Sequence, residues 1–166
     1  MTIIIEGGDR VGKSTVCKKL KEIGFKYHHF DYPKSNDVVK IYDDYLDNLK
    51  DLSNYIYDRA LFSEFAYSRY YNRQSNMTES EIIRLQNRFK ELDKDNKVIV
   101  LYLENSITEN LKLLKIEGEN KINNFDDIIN LRSYYMKALK LSIFPVIVYN
   151  YEIQKIEDIF KMIGIN

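Results

Sequence analysis

Residues 2–15 read TIIIEGGDRVGKST. A β-branched run passes directly into glycines at 7, 8 and 12 and closes on Gly12-Lys13-Ser14-Thr15. The segment meets the pattern G-x-x-x-x-G-K-[ST] at every required position. Its context fits too, with a strand-like run before it and a helical pattern after it. Glycines let a backbone curl until several N–H groups converge on one anion. A helix starting at the end of the curl adds its positive end. The expected ligand is the phosphate chain of a nucleoside triphosphate, held by Gly7, Gly8, Asp9, Arg10, Val11, Gly12, Lys13, Ser14 and Thr15. In this reading Lys13 reaches the terminal phosphates and Ser14 ligates Mg²⁺. Such a loop needs a strand that ends at a crevice, which points to an α/β sheet.

The rest of the chain agrees. Short β-rich runs alternate with longer helical patterns, the mark of a parallel α/β sheet. The patterns predict strands over 2–6, 26–30, 54–58, 98–103 and 146–150. They predict helices over 13–23, 37–49, 59–71, 78–93, 106–116, 125–142 and 154–163. The run VIVLYL is apolar on both faces, as a central parallel strand should be. Capping boxes at Thr78-Glu79-Ser80-Glu81 and Ser106-Ile107-Thr108-Glu109 open two of the helices. The polar stretch EGENKINN at 117–124 reads as a mobile lid loop. The expected architecture is three layers, a five-stranded parallel sheet flanked by helices in a single domain over 1–166.

Bulk properties narrow the partners. Lys plus Arg and Asp plus Glu are equal at 25 each, so the net charge of zero favours neither polymeric nucleic acid nor an anionic membrane. No run approaches a membrane span. The single Cys17, on the first helix, fits core packing and a reducing cytoplasm. The Asn76-Met77-Thr78 sequon is explained by Thr78 as a helix cap.

Further residues carry candidate chemistry. Asp58-Arg59 ends the third predicted strand, at the edge where open α/β sheets bind ligands. Arg59 offers a bidentate fork to a second phosphate, and Asp58 a ligand for a Mg²⁺-bound water. Arg10, inside the loop, can stabilise charge that develops during transfer. Lys34, in the turn Tyr32-Pro33-Lys34, can face a phosphate. His28 and His29 read as structural or solvated. The Tyr and Phe residues fall mostly at helical spacing and read as core. Tyr67, Tyr70 and Tyr71 follow Arg59 and can line an acceptor pocket.

Together these residues resemble the thymidylate kinase family of nucleoside-monophosphate kinases. Glu6-Gly7-Gly8-Asp9-Arg10-Val11-Gly12-Lys13-Ser14-Thr15 is similar to that family's loop, and Arg10 to the subclass that keeps its catalytic Arg there. Tyr32-Pro33, the run Asp58-Arg59-x3-Ser63-x2-Ala66-Tyr67, and Phe125, Arg132 and Tyr135 also match its pattern. The resemblance implies transfer of the γ-phosphoryl of Mg·ATP to a deoxynucleoside monophosphate, dTMP first. It implies that Asp9 contacts the acceptor sugar and Arg10 bridges donor and acceptor phosphates. It further implies that Arg59 holds the acceptor phosphate and Asp58 organises magnesium. Tyr67, Arg132 and Lys34 fall at acceptor-binding positions. A homodimer through the apolar helix after Arg59 is implied as well. Departures are a shortened segment after Pro33, Ser68 where one subclass has a base-reading Gln, and a lid without Arg, where Lys115 and Lys121 are the nearby cations. Such trimming is typical of virus-encoded relatives acting in a host cytoplasm.

Two other readings stay open. A deoxynucleoside kinase also carries an Asp-Arg pair after a strand, and would need a carboxylate base such as Asp31. A nucleotide-binding switch would have no acceptor chemistry. Its N-K-x-D signature is only mimicked by Asn120-Lys121-Ile122-Asn123.

Overall fold

The computed structural model describes residues 1–95, 97–117, 122 and 124–165, with 115–117 described through their backbone alone. The strands are β1 (Thr2–Glu6), β2 (Lys26–His29), β3 (Tyr55–Asp58), β4 (Val98–Glu104) and β5 (Val146–Asn150). The helices are α1 (Lys13–Glu22), α2 (Val38–Asp47), α3 (Leu61–Tyr70), α4 (Glu79–Leu92), α5 (Ile107–Glu117), α6 (Phe125–Leu139) and α7 (Ile156–Ile163). All strand pairs are parallel, in the order β2-β3-β1-β4-β5. The expected five-stranded parallel sheet between helical layers is therefore present.

The period of two along a strand explains the layers. On β1, Ile3 and Ile5 join a core with Val16, Leu20, Ile56, Leu101, Ile159 and Ile163, on the α1 and α7 side. Ile4 points the other way, into a larger core with Tyr57, Val100, Phe62, Phe65, Phe89 and Tyr135. Both faces of β1 and β4 are buried, as a central parallel strand requires. Strand β2, at one edge, is only half covered. Cys17 is buried in the α1-side core, as read from its helical position.

Topology then sets where a ligand can sit. From β1 the chain moves outward to β2, and from β3 it crosses to β4 on the other side of β1. Neighbouring strands whose connections leave in opposite directions open a crevice at their carboxyl ends. Here that crevice lies between β1 and β3.

Several expected helix ends shift: α2 stops at Asp47 rather than 49, α6 stops at Leu139 rather than 142, and α7 starts at Ile156 rather than 154. The third helix begins at Leu61 rather than Arg59, because Arg59 has φ 59° and Ala60 is its N-cap. Position 117, read as the start of the lid, is the last residue of α5. Most of the lid expected over 117–124, with Lys121, lies outside the described residues. Ile122 is buried, and Asn124 caps α6 by accepting from the Asp127 N–H at 2.9 Å. Both capping-box hydroxyls accept as expected, Thr78 from Glu81 N–H and Ser106 from Glu109 N–H, each at 3.2 Å. Among the described residues no helix is long and apolar enough to cross a membrane.

Candidate functional site

The loop between β1 and α1 is shaped by contacts that only glycine allows. A Cβ on Gly7 would sit 2.4 Å from the Leu103 carbonyl oxygen, and Gly7 has φ +138°. Gly12 has φ +90°, with the Tyr151 ring 3.4 Å from where its Cβ would be. Both positions lie in the left-handed region that side chains rarely enter. The loop is thereby pressed against the end of β4 and carried straight into the first turn of α1.

Lys13 is buried and donates to the carbonyl oxygens of Gly7, at 2.9 Å, and Gly8. Burial and the nearby Arg59 push its pKa down to about 8, against the pull of Asp9, Asp58 and Glu6. A phosphate chain arriving here would replace those carbonyl contacts and restore the full charge.

Beneath the loop is a carboxylate that the loop pattern includes without a role. Glu6, the last residue of β1, is fully buried. It accepts from the Ala60 N–H at 3.1 Å, the Phe62 N–H at 3.3 Å and the Ser63 hydroxyl. Ala60 has no capping side chain, so Glu6 caps α3 from a neighbouring strand. The Ser63 hydroxyl also lies 2.8 Å from that of Tyr135, which donates to the Gly7 carbonyl at 3.1 Å. One network thus joins the loop, α3 and α6. Burial pushes the Glu6 carboxyl up to about 7 while its hydrogen bonds pull it back.

Asp9 and Arg59 face each other across the crevice. Arg59 donates to Asp9 and lies over the Tyr67 ring, 5.3 Å from its centroid; the Tyr67 hydroxyl donates to Asp9 at 3.3 Å. Burial disfavours ionised Asp9, but the charges of Arg59 and Lys13 outweigh it and hold its carboxyl below the usual range. Asp58 is buried, accepts from the Tyr27 hydroxyl at 3.0 Å and has His29 Nδ1 at 3.2 Å. Its Oδ1 is buried with no hydrogen-bond partner among the described residues. His29 therefore stands at the site as a neighbour of Asp58.

Two large cavities meet at this crevice. One, of about 830 Å³, is lined by Arg10, Gly12, Lys13, Ser14, Thr15, Asp58 and Tyr151. The other, of about 670 Å³, is lined by Phe30, Tyr32, Pro33, Lys34, Tyr42, Tyr45, Glu64, Tyr67 and Arg73. Asp9, His29 and Arg59 line both. Loop residues and the Asp-Arg pair, 50 positions apart, are thus brought together as expected. Arg132 is not with them. It lines a small recess together with Gly8 and donates to the Asn105 carbonyl and side chain, so its position bears on the loop from behind. Asn105 in turn donates to the Arg10 carbonyl at 3.2 Å. Sequence signals for Asn105, Glu64 and Arg73 were absent, because each belongs to the site only through tertiary contact.

No family model matches the chain. It is 30% identical over 135 residues, 78% of each chain, to the SPbeta prophage-derived uncharacterized protein YorR of Bacillus subtilis. The crystal structure of YorR in complex with phosphorylated GDP covers 99% of this chain and 94% of its own, with TM-score 0.78 and 22% identity. Deoxyadenosine kinase from M. mycoides with bound dATP has TM-score 0.61 at 22% identity, over 99% of this chain and 100% of its own. Thymidylate kinase from Candida albicans has TM-score 0.61 at 19% identity, over 98% and 88%. These likenesses show the phosphate-loop α/β fold of nucleoside and nucleotide kinases. By identity and coverage, the chain belongs to the family of the prophage protein YorR.

Proposed function

We propose that the protein is a nucleoside-monophosphate kinase that transfers the γ-phosphoryl of Mg·ATP to a deoxynucleoside monophosphate. One observation carries this reading: the two cavities share a wall made of Asp9, His29 and Arg59. A donor on the loop side and an acceptor on the aromatic side would meet at Arg59. A guanidinium has five N–H donors, so the pair with Asp9 leaves donors for phosphate oxygens.

The chemistry asks little of the protein beyond placement. The bond from the γ-phosphorus to the bridging oxygen breaks as one forms to an acceptor phosphate oxygen, which is already anionic. No general base is needed, and catalysis comes from positioning and charge stabilisation. Lys13 and the loop N–H groups would hold the donor phosphates, and Arg10 would meet the charge in flight. Arg59 would hold the acceptor phosphate, with Lys34 at the rim. Asp9 fixes Arg59 and would reach the acceptor sugar, and Tyr67 supports both. The unpartnered Oδ1 of Asp58, on the wall that also bears Ser14, suits a hydrated Mg²⁺. When bound, that ion would neutralise charge between the β- and γ-phosphates.

The likeness of the fold to thymidylate kinase and the shared sequence runs support dTMP as the first acceptor to test. YorR is a protein crystallised with a guanine nucleotide, so the panel must include purines. The nucleoside-kinase reading needs a positioned base. Asp31 is 94% exposed and its nearest cation partner, His29 Nε2, is 3.8 Å away. A nucleotide switch would leave the second cavity without a role.

The test is coupled ADP release with Mg·ATP and dTMP, dUMP, dCMP, dGMP, dAMP, AMP and the matching nucleosides. Turnover with monophosphates, lost in Lys13→Ala, is expected. Turnover with nucleosides alone would move the chemistry to Asp31. Tight ATP binding without acceptor-dependent release would overturn the kinase reading.

A further inference from the structure

Each carbonyl oxygen from Gly7 to Arg10 is tied to a side chain. Lys13 takes those of Gly7 and Gly8, and the Tyr135 hydroxyl also donates to that of Gly7. Asn110 Nδ2 donates to the Asp9 carbonyl at 2.7 Å, and Asn105 Nδ2 to the Arg10 carbonyl at 3.2 Å. Both asparagines are buried, Asn110 on α5 and Asn105 just after β4. The loop peptides are trans, so each tie also fixes the direction of the following N–H. The tie on Arg10 carries the most. Arg10 has φ 63°, a left-handed conformation that a side chain keeps only where its surroundings impose it. The Asn105 amide is fully committed to that task. One Nδ2 hydrogen goes to the Arg10 carbonyl and the other to the Tyr151 hydroxyl at 3.1 Å, while Oδ1 accepts from Arg132 Nη2 at 3.2 Å. Only an amide meets these demands, since a carbonyl brings no proton and a guanidinium no lone pair.

We infer that Asn105 is a positioning residue of the transfer step, holding the Arg10 backbone so that its side chain stays in the loop cavity, which Arg10 lines. This rests on Arg10 meeting the charge in flight, as proposed above. Without the tie, Arg10 would relax toward negative φ and its side chain would lose the direction that the loop gives it. Arg132 serves the same end through Asn105, whose backbone carbonyl and Oδ1 it holds. Asn110 makes a like bond to the preceding carbonyl, with a different consequence. It holds Asp9, whose carboxylate pairs with Arg59. Loss of Asn105 is therefore felt in the transfer step, and loss of Asn110 in the hold on the acceptor.

The test uses the whole protein and follows ADP release from Mg·ATP with dTMP, dUMP, dCMP, dGMP, dAMP and AMP in turn. With the acceptor turned over fastest, Asn105→Ala should lower kcat by about 10–100-fold, the scale of a small misplacement, and leave the KM for ATP within about twofold. Asn110→Ala, which removes a comparable buried bond, should instead raise the acceptor KM. Arg10→Ala combined with Asn105→Ala should be no slower than Arg10→Ala alone, because both remove one contribution. If Asn105→Ala does not fold, Asn105→Asp decides, since it keeps the shape and the acceptor for Arg132 and lacks the donor. In parallel, calorimetry measures Mg·ADP binding with and without aluminium fluoride, a stand-in for the moving phosphoryl group, alone and with each monophosphate. Aluminium fluoride should tighten binding to the unaltered protein, and Asn105→Ala should remove that gain as Arg10→Ala does. Losses that add to those of Arg10→Ala, or an unaltered protein with neither turnover nor gain, would overturn the inference. A gain without acceptor-dependent release, lost in both variants, would keep the positioning role and remove the kinase. Release at full kcat in Asn105→Ala would keep the kinase and remove the positioning role.

Discussion

The two cavities are built by different means. The loop cavity is a backbone device. One side of it is the loop over 7–15, shaped by Gly7 against the Leu103 carbonyl and Gly12 beside Tyr151, and side chains such as Asp58 and Tyr149 close the rest. The aromatic cavity is a side-chain device, gathered from residues between positions 9 and 73 on several elements. Backbone recognition needs a fixed order of glycines, so it leaves a motif in the sequence. Side-chain recognition needs only proximity, so it leaves a partial trace, the run from Arg59 to Tyr67, and none for residues such as Arg73. In the function proposed above, phosphate, the same in every nucleotide, would fall to the first, and the variable base to the second.

Substitutions can break this division of labour. The largest effect is expected at Lys13. Lys13→Ala should lower turnover by about 10²–10³-fold, the loss of one transition-state charge contact, while the melting temperature changes little. Near-normal turnover in the ADP-release assay would end the phosphate-loop assignment. Glu6→Ala should follow, acting on the scaffold under both cavities. It strands the Ala60 and Phe62 N–H groups and the Ser63 hydroxyl, which costs roughly 3 kcal/mol or more at about 1–3 per buried group. Chemical denaturation that showed no loss would mean that α3 is capped by other groups.

Arg59→Ala comes next and sharpens the boundary. Acceptor kcat/KM should fall by roughly 10–100-fold, the worth of a charged fork, with ATP affinity less affected. An equal loss on both sides would show that the shared wall serves donor and acceptor alike.

The smallest effect is a proton. The Lys13 pKa is pushed down to about 8 from an ordinary 10.5. Between those values the unfolded chain holds more protons, so this group makes stability rise with pH across that window and withdraws the gain as pH falls through 8. A bound triphosphate restores the charge, so ATP binding at pH 8–9 should take up a fraction of a proton. Calorimetry in buffers of different ionisation enthalpy would show it, and zero uptake would place the phosphates away from Lys13.

The sequence made the sheet legible. All five strands lie within a residue of the expected bounds, because apolar runs on both faces of β1 and β4 have few alternatives. The loop and the Asp58-Arg59 pair were legible as well, since both sit at strand ends that topology brings together. The start of α3 was not. Arg59 adopts φ 59° and Ala60 becomes the N-cap because Glu6, 54 positions away, supplies the cap. Nothing local to 59–61 records that contact. His29, Glu64 and Arg73 were missed for the same reason. Each is an ordinary polar residue in its own segment and joins the site only when α3, β2 and the chain after α3 close around one space.

The shared wall has a consequence for descent. Asp9, His29 and Arg59 are common to both cavities, while Glu64 and Arg73 belong to one alone. A lineage could exchange residues at 64 and 73 and reshape one cavity without touching the wall common to both. The reverse path is closed, since a change at 9 or 59 disturbs both cavities together. Proteins built this way should diversify in the lining of one cavity long before they change at the shared wall.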